Sequence, residues 1–228
     1  MRPVTKEASW SAAILIGGLS SRFGEPKFLS RVGGEALVRR VAKAALPTNG
    51  DLMLVTSQTV QPDVEEAVSA QMRDLAVRLR FVRDTPGPRT LAAGIEAALR
   101  SAESDCVFVA AADLPFLDRG LVLSLIEKAQ GADAAVPFYR GFYEPVCAAY
   151  RSRMLPVLSR YRADPSGPLS TCFQDPSVVV ERVIEREIRR FGDPDLLFLN
   201  VNTREDLQRA RSVYVLGGAA PERGEKEI

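Results

Sequence analysis

The sequence predicts an α/β fold in which a mostly parallel central sheet lies between two helix layers. Apolar runs at Ala12–Ile16, Leu52–Val55, Leu79–Val82 and Cys106–Ala112 recur through the first half of the chain. Each run is continuous rather than alternating, as in strands covered on both faces. Each is followed by a stretch with helical character, and strand–helix repeats of this kind build parallel sheets.

The first strand, Ala12–Ile16, breaks at Gly17-Gly18, where the chain can turn tightly and present backbone amides with no Cβ in the way. Ser20, Ser21, Arg22 and Lys27 follow, so hydroxyls and fixed cations crowd one loop, a composition suited to a polyphosphate. A helix is expected over Ala36–Leu46, with Leu37, Val41, Ala44 and Ala45 at helical spacing and Pro47 and Gly50 ending it. Strand Leu52–Val55 leads to a helix over Asp63–Met72 that begins near Pro62. Strand Leu79–Val82 runs into Arg83-Asp84-Thr85-Pro86-Gly87-Pro88 and a helix over Thr90–Leu99. Strand Cys106–Ala112 ends in Asp113-Leu114-Pro115 before a helix over Arg119–Ala129.

The later third is less regular. Ala134–Phe138 and Val146–Tyr150 read as strands flanking Gly141 and Pro145, and Arg153–Tyr161 reads as a helix that begins or kinks at Pro156. Val178–Val183 and Leu196–Val201 are two further strand-like runs. Thr203 caps a final helix, with Asp206 at its third position. The stretch after Leu216, rich in Gly, Pro and charge, is expected to be disordered. No repeat or linker divides the chain, so one domain is expected over residues 1–216, with a tail at 217–228.

Composition narrows the chemistry. A net charge of +1 gives no global field for nucleic acid or an acidic membrane, so attraction to phosphate must be local. There is no His, which removes every Ser–His, Cys–His and His–metal mechanism. Cys106, Cys147 and Cys172 are widely spaced, odd in number and outside any Cys-x-x-Cys, so reduced thiols in a cytoplasmic protein are expected. The run Ala12–Ile16 is too short to cross a bilayer, and no signal peptide is visible. The interleaved charges from Glu181 to Arg190 read as a solvated, paired stretch.

In an open parallel sheet, ligands sit beyond the carboxyl ends of the strands. The Gly17-Gly18 loop, Asp84 and Asp113 all fall at such ends and can converge on one crevice. Asp113 is the strongest single candidate: a hard oxygen on a rigid element suits Mg²⁺, which takes one or two carboxylates plus phosphate oxygens and water. The competing reading of Asp113 is a helix cap, and of the loop a surface turn with incidental charge. The spacing fits neither a Walker A motif, since Glu25 and Pro26 separate Gly24 from Lys27, nor Gly-x-Gly-x-x-Gly.

The loop does resemble the Leu-x-Gly-Gly-x-Ser-x-Arg-x-Gly-x-x-Lys signature of the molybdenum cofactor guanylyltransferase family of nucleotidyltransferases. Leu15, Gly17, Gly18, Ser20, Arg22, Gly24 and Lys27 fill its fixed positions. Asp113-Leu114-Pro115 is similar to the family's Asp-x-Pro, and Asn200-Val201-Asn202-Thr203 to its Asn-Ile-Asn-Thr, with Arg204 in place of Pro. Glu144-Pro145 with Tyr150 resembles its Gln/Glu-Pro-Leu-x-Ala-x-Tyr. Two departures stand out: Ser57 replaces a more usual Asn, and Gly87-Pro88 is separated from Leu91 and Gly94-Ile95, which the family joins in one motif. Arg89, within that separation, reads equally as an anion contact or a solvated side chain.

The resemblance covers roughly residues 12–212 and implies a three-layer, Rossmann-like nucleotidyltransferase fold. Its N-terminal half would bind nucleotide and its C-terminal half the acceptor. The implied reaction is transfer of GMP from GTP to molybdopterin-type molybdenum cofactor, with Mg²⁺ held by Asp113 and with Arg22, Lys27 and Asp113 catalytic. Nucleotide and cofactor contacts would fall on Leu15, Ile16, Gly17, Gly18, Ser20, Lys27, Ser57, Asp84, Asp113, Asn200 and Asn202. Strand alternation would put both asparagines on one face, where they could complete a metal shell, bind a pterin edge or phosphate, or merely cap the last helix. Glu144 reads as a substrate or metal contact, or as a surface carboxylate before Pro145. Molybdoenzyme maturation proteins are implied as further partners, with no nucleic acid or membrane. Transfer of CMP to the same cofactor, transfer to a sugar phosphate or phospholactate, and a non-catalytic accessory role are the alternatives.

Overall fold

The computed structural model describes residues 9–16, 26–56, 61–84, 90–163 and 168–216. Strand β1 (Trp10–Leu15) is an interior strand of the main sheet. A 3-10 turn, Lys27–Leu29, leads into a small hairpin of β2 (Arg31–Val32) and β3 (Glu35–Ala36), then helix α1 (Leu37–Ala44). Strand β4 (Asp51–Thr56), helix α2 (Pro62–Ala70), strand β5 (Arg78–Arg83), helix α3 (Leu91–Ser101), strand β6 (Cys106–Ala111) and helix α4 (Arg119–Lys128) complete the expected repeats. The side chains of Thr90 and Asp118 cap α3 and α4, so the capping role weighed for Asp113 belongs to Asp118.

The second half adds β7 (Ala134–Tyr139), β8 (Phe142–Tyr143), β9 (Cys147–Arg151), α5 (Leu155–Ala163) and β10 (Val180–Ile184). Three helices follow: α6 (Glu185–Ile188), α7 (Pro194–Leu197) and α8 (Arg204–Leu216). Pro156 sits in the first turn of α5, where its missing N–H costs nothing.

The main sheet runs β10-β7-β9-β6-β1-β4-β5, with β8 paired to β7. Strands β5, β4, β1 and β6 are parallel, and β10 is parallel to β7. β9 runs against both of its neighbours. Its first residues therefore share an edge of the sheet with the last residues of β6 and β7. The chain passes from β1 through β4 to β5 on one side and returns with β6 on the other. The resulting switch point between β1 and β6 is where open α/β sheets bind ligands.

The continuous apolar strands feed two cores, because alternate side chains leave opposite faces. Ala12, Ile14, Leu52, Leu54 and Phe108 pack with Val38, Val41, Val68 and Leu121 on one side. Ala13, Met53, Val55, Val107 and Val109 pack with Ile95, Ala98, Val157 and Leu158 on the other. The three layers are thus as the sequence predicts. A third cluster joins Val32 and Leu37 to Leu199, Val201, Leu207 and Ala210, docking the last helix on the β2–β3 hairpin.

Edge strand β5 departs from the continuous pattern, alternating Arg78, Arg80 and Arg83 with apolar residues. Arg80 donates from Nη2 to Oδ1 of fully buried Asp51 at 2.7 Å, fixing the amino end of the sheet, opposite the switch point. Leu196–Val201 is not a strand. The Asp193 carboxylate accepts from the Asp195 amide with Pro194 next in the chain, which starts α7 instead. Residues 199–202 then run free of the sheet. The tail expected at 217–228 lies outside the described residues.

Candidate active site

A cleft of about 510 Å³ opens at the switch point. Leu15, Ile16, Lys27, Asp84, Asp113, Asn200 and Asn202, separated by up to 187 positions in the sequence, line it together. Gly17, Gly18, Ser20, Arg22, Gly24 and Ser57 lie outside the described residues, as do Gly87, Pro88 and Arg89.

Local structure explains each placement. Leu15 and Ile16 leave β1 beside Ala112, whose amide donates to the Leu15 carbonyl at 3.1 Å. Asp84 follows β5, its amide held by the Thr56 carbonyl at 3.0 Å. Thr90, Leu91 and Gly94 bring the amino end of α3 to the wall. A Cβ on Gly94 would stand 3.4 Å from the Leu15 side chain, an ordinary contact distance, so α3 packs directly on the end of β1.

The polar centre is Lys27, at the start of the 3-10 turn. Its Nζ lies 2.6 Å from Asp113 Oδ2 and donates to Asn202 Oδ1 at 2.9 Å. Three segments distant in sequence thus meet at one ammonium. The backbone repeats the tie, because the Val201 amide donates to the Asp113 carbonyl at 3.0 Å. Asp206 secures the far side: its Oδ2 accepts from the Asn202 and Thr203 amides, while the Asp206 amide donates to Thr203 Oγ1. This is the expected reciprocal cap, now seen also to fix Asn202. The two asparagines do not share a strand face: Asn200 donates from Nδ2 to the Phe198 carbonyl at 3.0 Å, whereas Asn202 faces Lys27.

Asp113 Oδ1 is buried and has no hydrogen-bond partner among the described residues. A buried carboxylate oxygen left unsatisfied is costly and calls for a partner. One hard oxygen beside the Lys27 ammonium fits Mg²⁺, which rarely takes an all-protein cage. Among the described residues no group of three or more His, Cys, Asp or Glu side chains meets, so that spare oxygen stands as a lone protein carboxylate donor.

The cysteines take no part. All three are buried, and burial pushes the thiols of Cys106 and Cys172 up to about 11 and that of Cys147 higher still. Thr56, Phe28, Val55, Ala111 and Val146 also line the cleft and escape the sequence reading. Thr56 is one residue from Ser57 and was within reach; the others are apolar strand or turn residues with no polar signal. Among the described residues, no helix is long and apolar enough to cross a membrane.

Residues 12–176 match the family described as the MobA-like NTP transferase domain. A probable molybdenum cofactor guanylyltransferase of Pelotomaculum thermopropionicum is 32% identical over 88% of this chain and 91% of its own. A molybdenum cofactor guanylyltransferase of Desulfosudis oleivorans is 30% identical over 90% of this chain and 95% of its own. Among solved structures, molybdopterin-guanine dinucleotide biosynthesis protein A of Archaeoglobus fulgidus is similar with a TM-score of 0.68 and 25% identity, over 89% of this chain and 97% of that one.

Proposed function

The chain belongs to the MobA-like NTP transferase domain family, and on that premise we propose that it is a guanylyltransferase that moves GMP from GTP to a molybdopterin-type cofactor and releases pyrophosphate. The names of its relatives favour this donor and acceptor. The observation that carries the reading is the convergence of Lys27, Asp113 and Asn202 in the cleft at the switch point. The domain works as one unit in the cytoplasm, with the β1–β6 half holding nucleotide and the half from β7 onward holding the acceptor.

In the reaction a phosphate oxygen of the acceptor attacks the α-phosphorus of GTP. A new P–O bond forms, the α–β bridging P–O bond breaks, and the electron pair leaves on pyrophosphate. The attacking oxygen is already ionised near neutral pH, so no general base is required. Negative charge grows on the leaving group, and fixed cations at that point lower the barrier. Lys27 supplies one such cation, and the loop signature assigns a second to Arg22. Asp113 and its spare Oδ1 would hold Mg²⁺, which supplies charge neutralisation to the phosphates when bound. Asn202 holds Lys27 from the acceptor side and so keeps the donor and acceptor halves in register.

The test is pyrophosphate release from GTP, CTP, ATP and UTP, with Mg²⁺, with and without molybdopterin. Release with GTP only, and only with the pterin present, is expected. Release with CTP alone would refute the guanine assignment, and nucleotide binding without release would refute the transfer itself. Lys27→Met should lower turnover by at least a hundredfold, the scale of losing one preorganised charge contact.

A further inference from the structure

A second cavity, of about 310 Å³, opens on the same edge of the sheet. Its walls are the aromatic side chains of Tyr139, Phe142 and Phe198, and its polar groups are Arg140, Glu144 and Asp195. It shares two chain segments with the cleft. Glu144 faces the second cavity and Val146 the first; Phe198 faces the second and Asn200 the first. Residues two apart are separated by at most about 7 Å. A flat ring seated in the second cavity can therefore carry a phosphate into the first on a short side arm.

The charges in the second cavity are not equivalent. Asp195 is satisfied, since it accepts from the Tyr139 hydroxyl at 3.0 Å and pairs with Arg140 at 2.8 Å. Arg140 is spent on that pair and stands 5.2 Å over the Tyr139 ring. It occupies the tight β7–β8 turn in the left-handed region, at φ 49°. The Glu144 carboxylate has no side-chain partner among the described residues, while its backbone is pinned at both ends: its amide donates to the Pro137 carbonyl and its carbonyl accepts from the Cys147 amide. Burial pushes its carboxyl above the ordinary range. Phe142, at the hairpin tip, keeps 73% of its surface exposed beside this carboxylate, an unusual position for a large aromatic without a stacking partner.

We propose that this cavity seats the pterin ring of the acceptor, with the two oxygens of Glu144 accepting from the ring's lactam N–H and 2-amino group and Phe142 covering its face. The inference deepens the guanylyltransferase reading and rests on it. A carboxylate accepts two parallel donors of that edge as it accepts a guanidinium fork. Guanine carries the same amino-lactam edge. The pterin is the occupant because the cavity is built wholly from β7 onward, away from β1, β4 and α3, whose Leu15, Val55 and Gly94 line the nucleotide cleft.

The experiment uses the full chain with 6-hydroxymethylpterin as probe, followed by fluorescence quenching, and 6-hydroxymethyllumazine as the analogue with oxygen in place of the 2-amino group. Saturable pterin binding is expected, at least tenfold tighter than that of the lumazine analogue with the same 6-hydroxymethyl group, because a site built to accept hydrogen bonds rejects an analogue lacking the donor. Glu144→Gln should weaken pterin at least tenfold and bring the two ligands level, with GTP affinity unchanged within twofold. Phe142→Ala, on an exposed tip, should weaken pterin severalfold without altering thermal stability. Unchanged pterin binding in both variants, or no saturable pterin binding in the wild type, overturns the inference. Loss of GTP affinity in step with pterin assigns the edge to guanine and overturns it equally. Pyrophosphate release is measured in parallel: turnover with an unchanged acceptor KM in Glu144→Gln refutes this site alone, whereas a wild type inactive with every nucleotide refutes the guanylyltransferase reading itself.

Discussion

The Lys27–Asp113 contact makes a quantitative prediction. Two unit charges 2.6 Å apart attract by about 6 kcal/mol at an effective dielectric near 20. The side chains retain only 17% and 14% of their exposure, so each has surrendered most of its hydration, which costs several kcal/mol per ion and consumes much of that attraction. The net coupling should fall near 2 kcal/mol, above the ~0–1 kcal/mol of exposed pairs. Four proteins measure it by urea unfolding: wild type, Lys27→Met, Asp113→Asn and the double variant. Lys27→Met should cost about 3 kcal/mol, because it strands a largely buried carboxylate and removes a donor from Asn202. Asp113→Asn should cost less, since an amide still accepts from Lys27, and the double variant should fall about 2 kcal/mol short of the sum. The coupling should persist in 0.5 M salt, which screens exposed pairs more than enclosed ones. A coupling below ~0.5 kcal/mol would show that the pair behaves as a surface contact and does not join the segments that carry it.

Two further predictions concern the frame. Gly33, at φ 60°, has the Tyr214 ring where a Cβ would stand, 2.2 Å from Cζ, whereas Gly34, at φ 83°, has no atom within 4 Å. Gly33→Ala should therefore cost about 3 kcal/mol and Gly34→Ala only about 1 kcal/mol in chemical unfolding, and equal costs would refute the docking of α8 on the hairpin. The buried Glu96 carboxyl is pushed up by burial, yet the Ser159 hydroxyl, Arg100 and Arg162 together hold it below its ordinary value of 4.5. A lowered folded value means that its stabilisation is present above pH 4.5 and is lost as pH falls through the folded value. Glu96→Gln should be less stable than wild type by about 2 kcal/mol at pH 7, with the gap closing in acid, and a gap independent of pH would contradict the assignment.

The parallel half of the sheet was legible because burial on both faces writes itself as unbroken apolar runs, and the carboxyl-end rule then placed Asp84 and Asp113 in one crevice. The two edge strands spoke less clearly: in β5, arginines at 78, 80 and 83 interrupt the apolar residues that reach the two cores. Leu196–Val201 misled because apolar content outweighed a local start signal, Asp193-Pro194, that opens a helical turn. The β2–β3 hairpin carried its own signal in Gly33-Gly34 and went unread. What no local pattern could disclose is that one ammonium joins Asp113 and Asn202, positions 86 and 175 residues from Lys27. Such contacts are fixed by the sheet order and by the docking of the last helix. The second cavity was hidden for the same reason: its aromatic walls come from two segments that meet only in the fold.

The closure of the hairpin by α8 also sets an order of events during synthesis. Lys27 leaves the ribosome 175 residues before Asn202, an interval of about 10–35 s at ordinary elongation rates. Throughout that time the central sheet can form around β1, yet the lysine has no partner from the chain's far end. Arg211, which donates to the Arg31 carbonyl, and Tyr214, which packs over Gly33, arrive later still. A nascent chain that has not yet released α8 therefore holds the strands without the assembled cleft, and competence for chemistry waits for that helix.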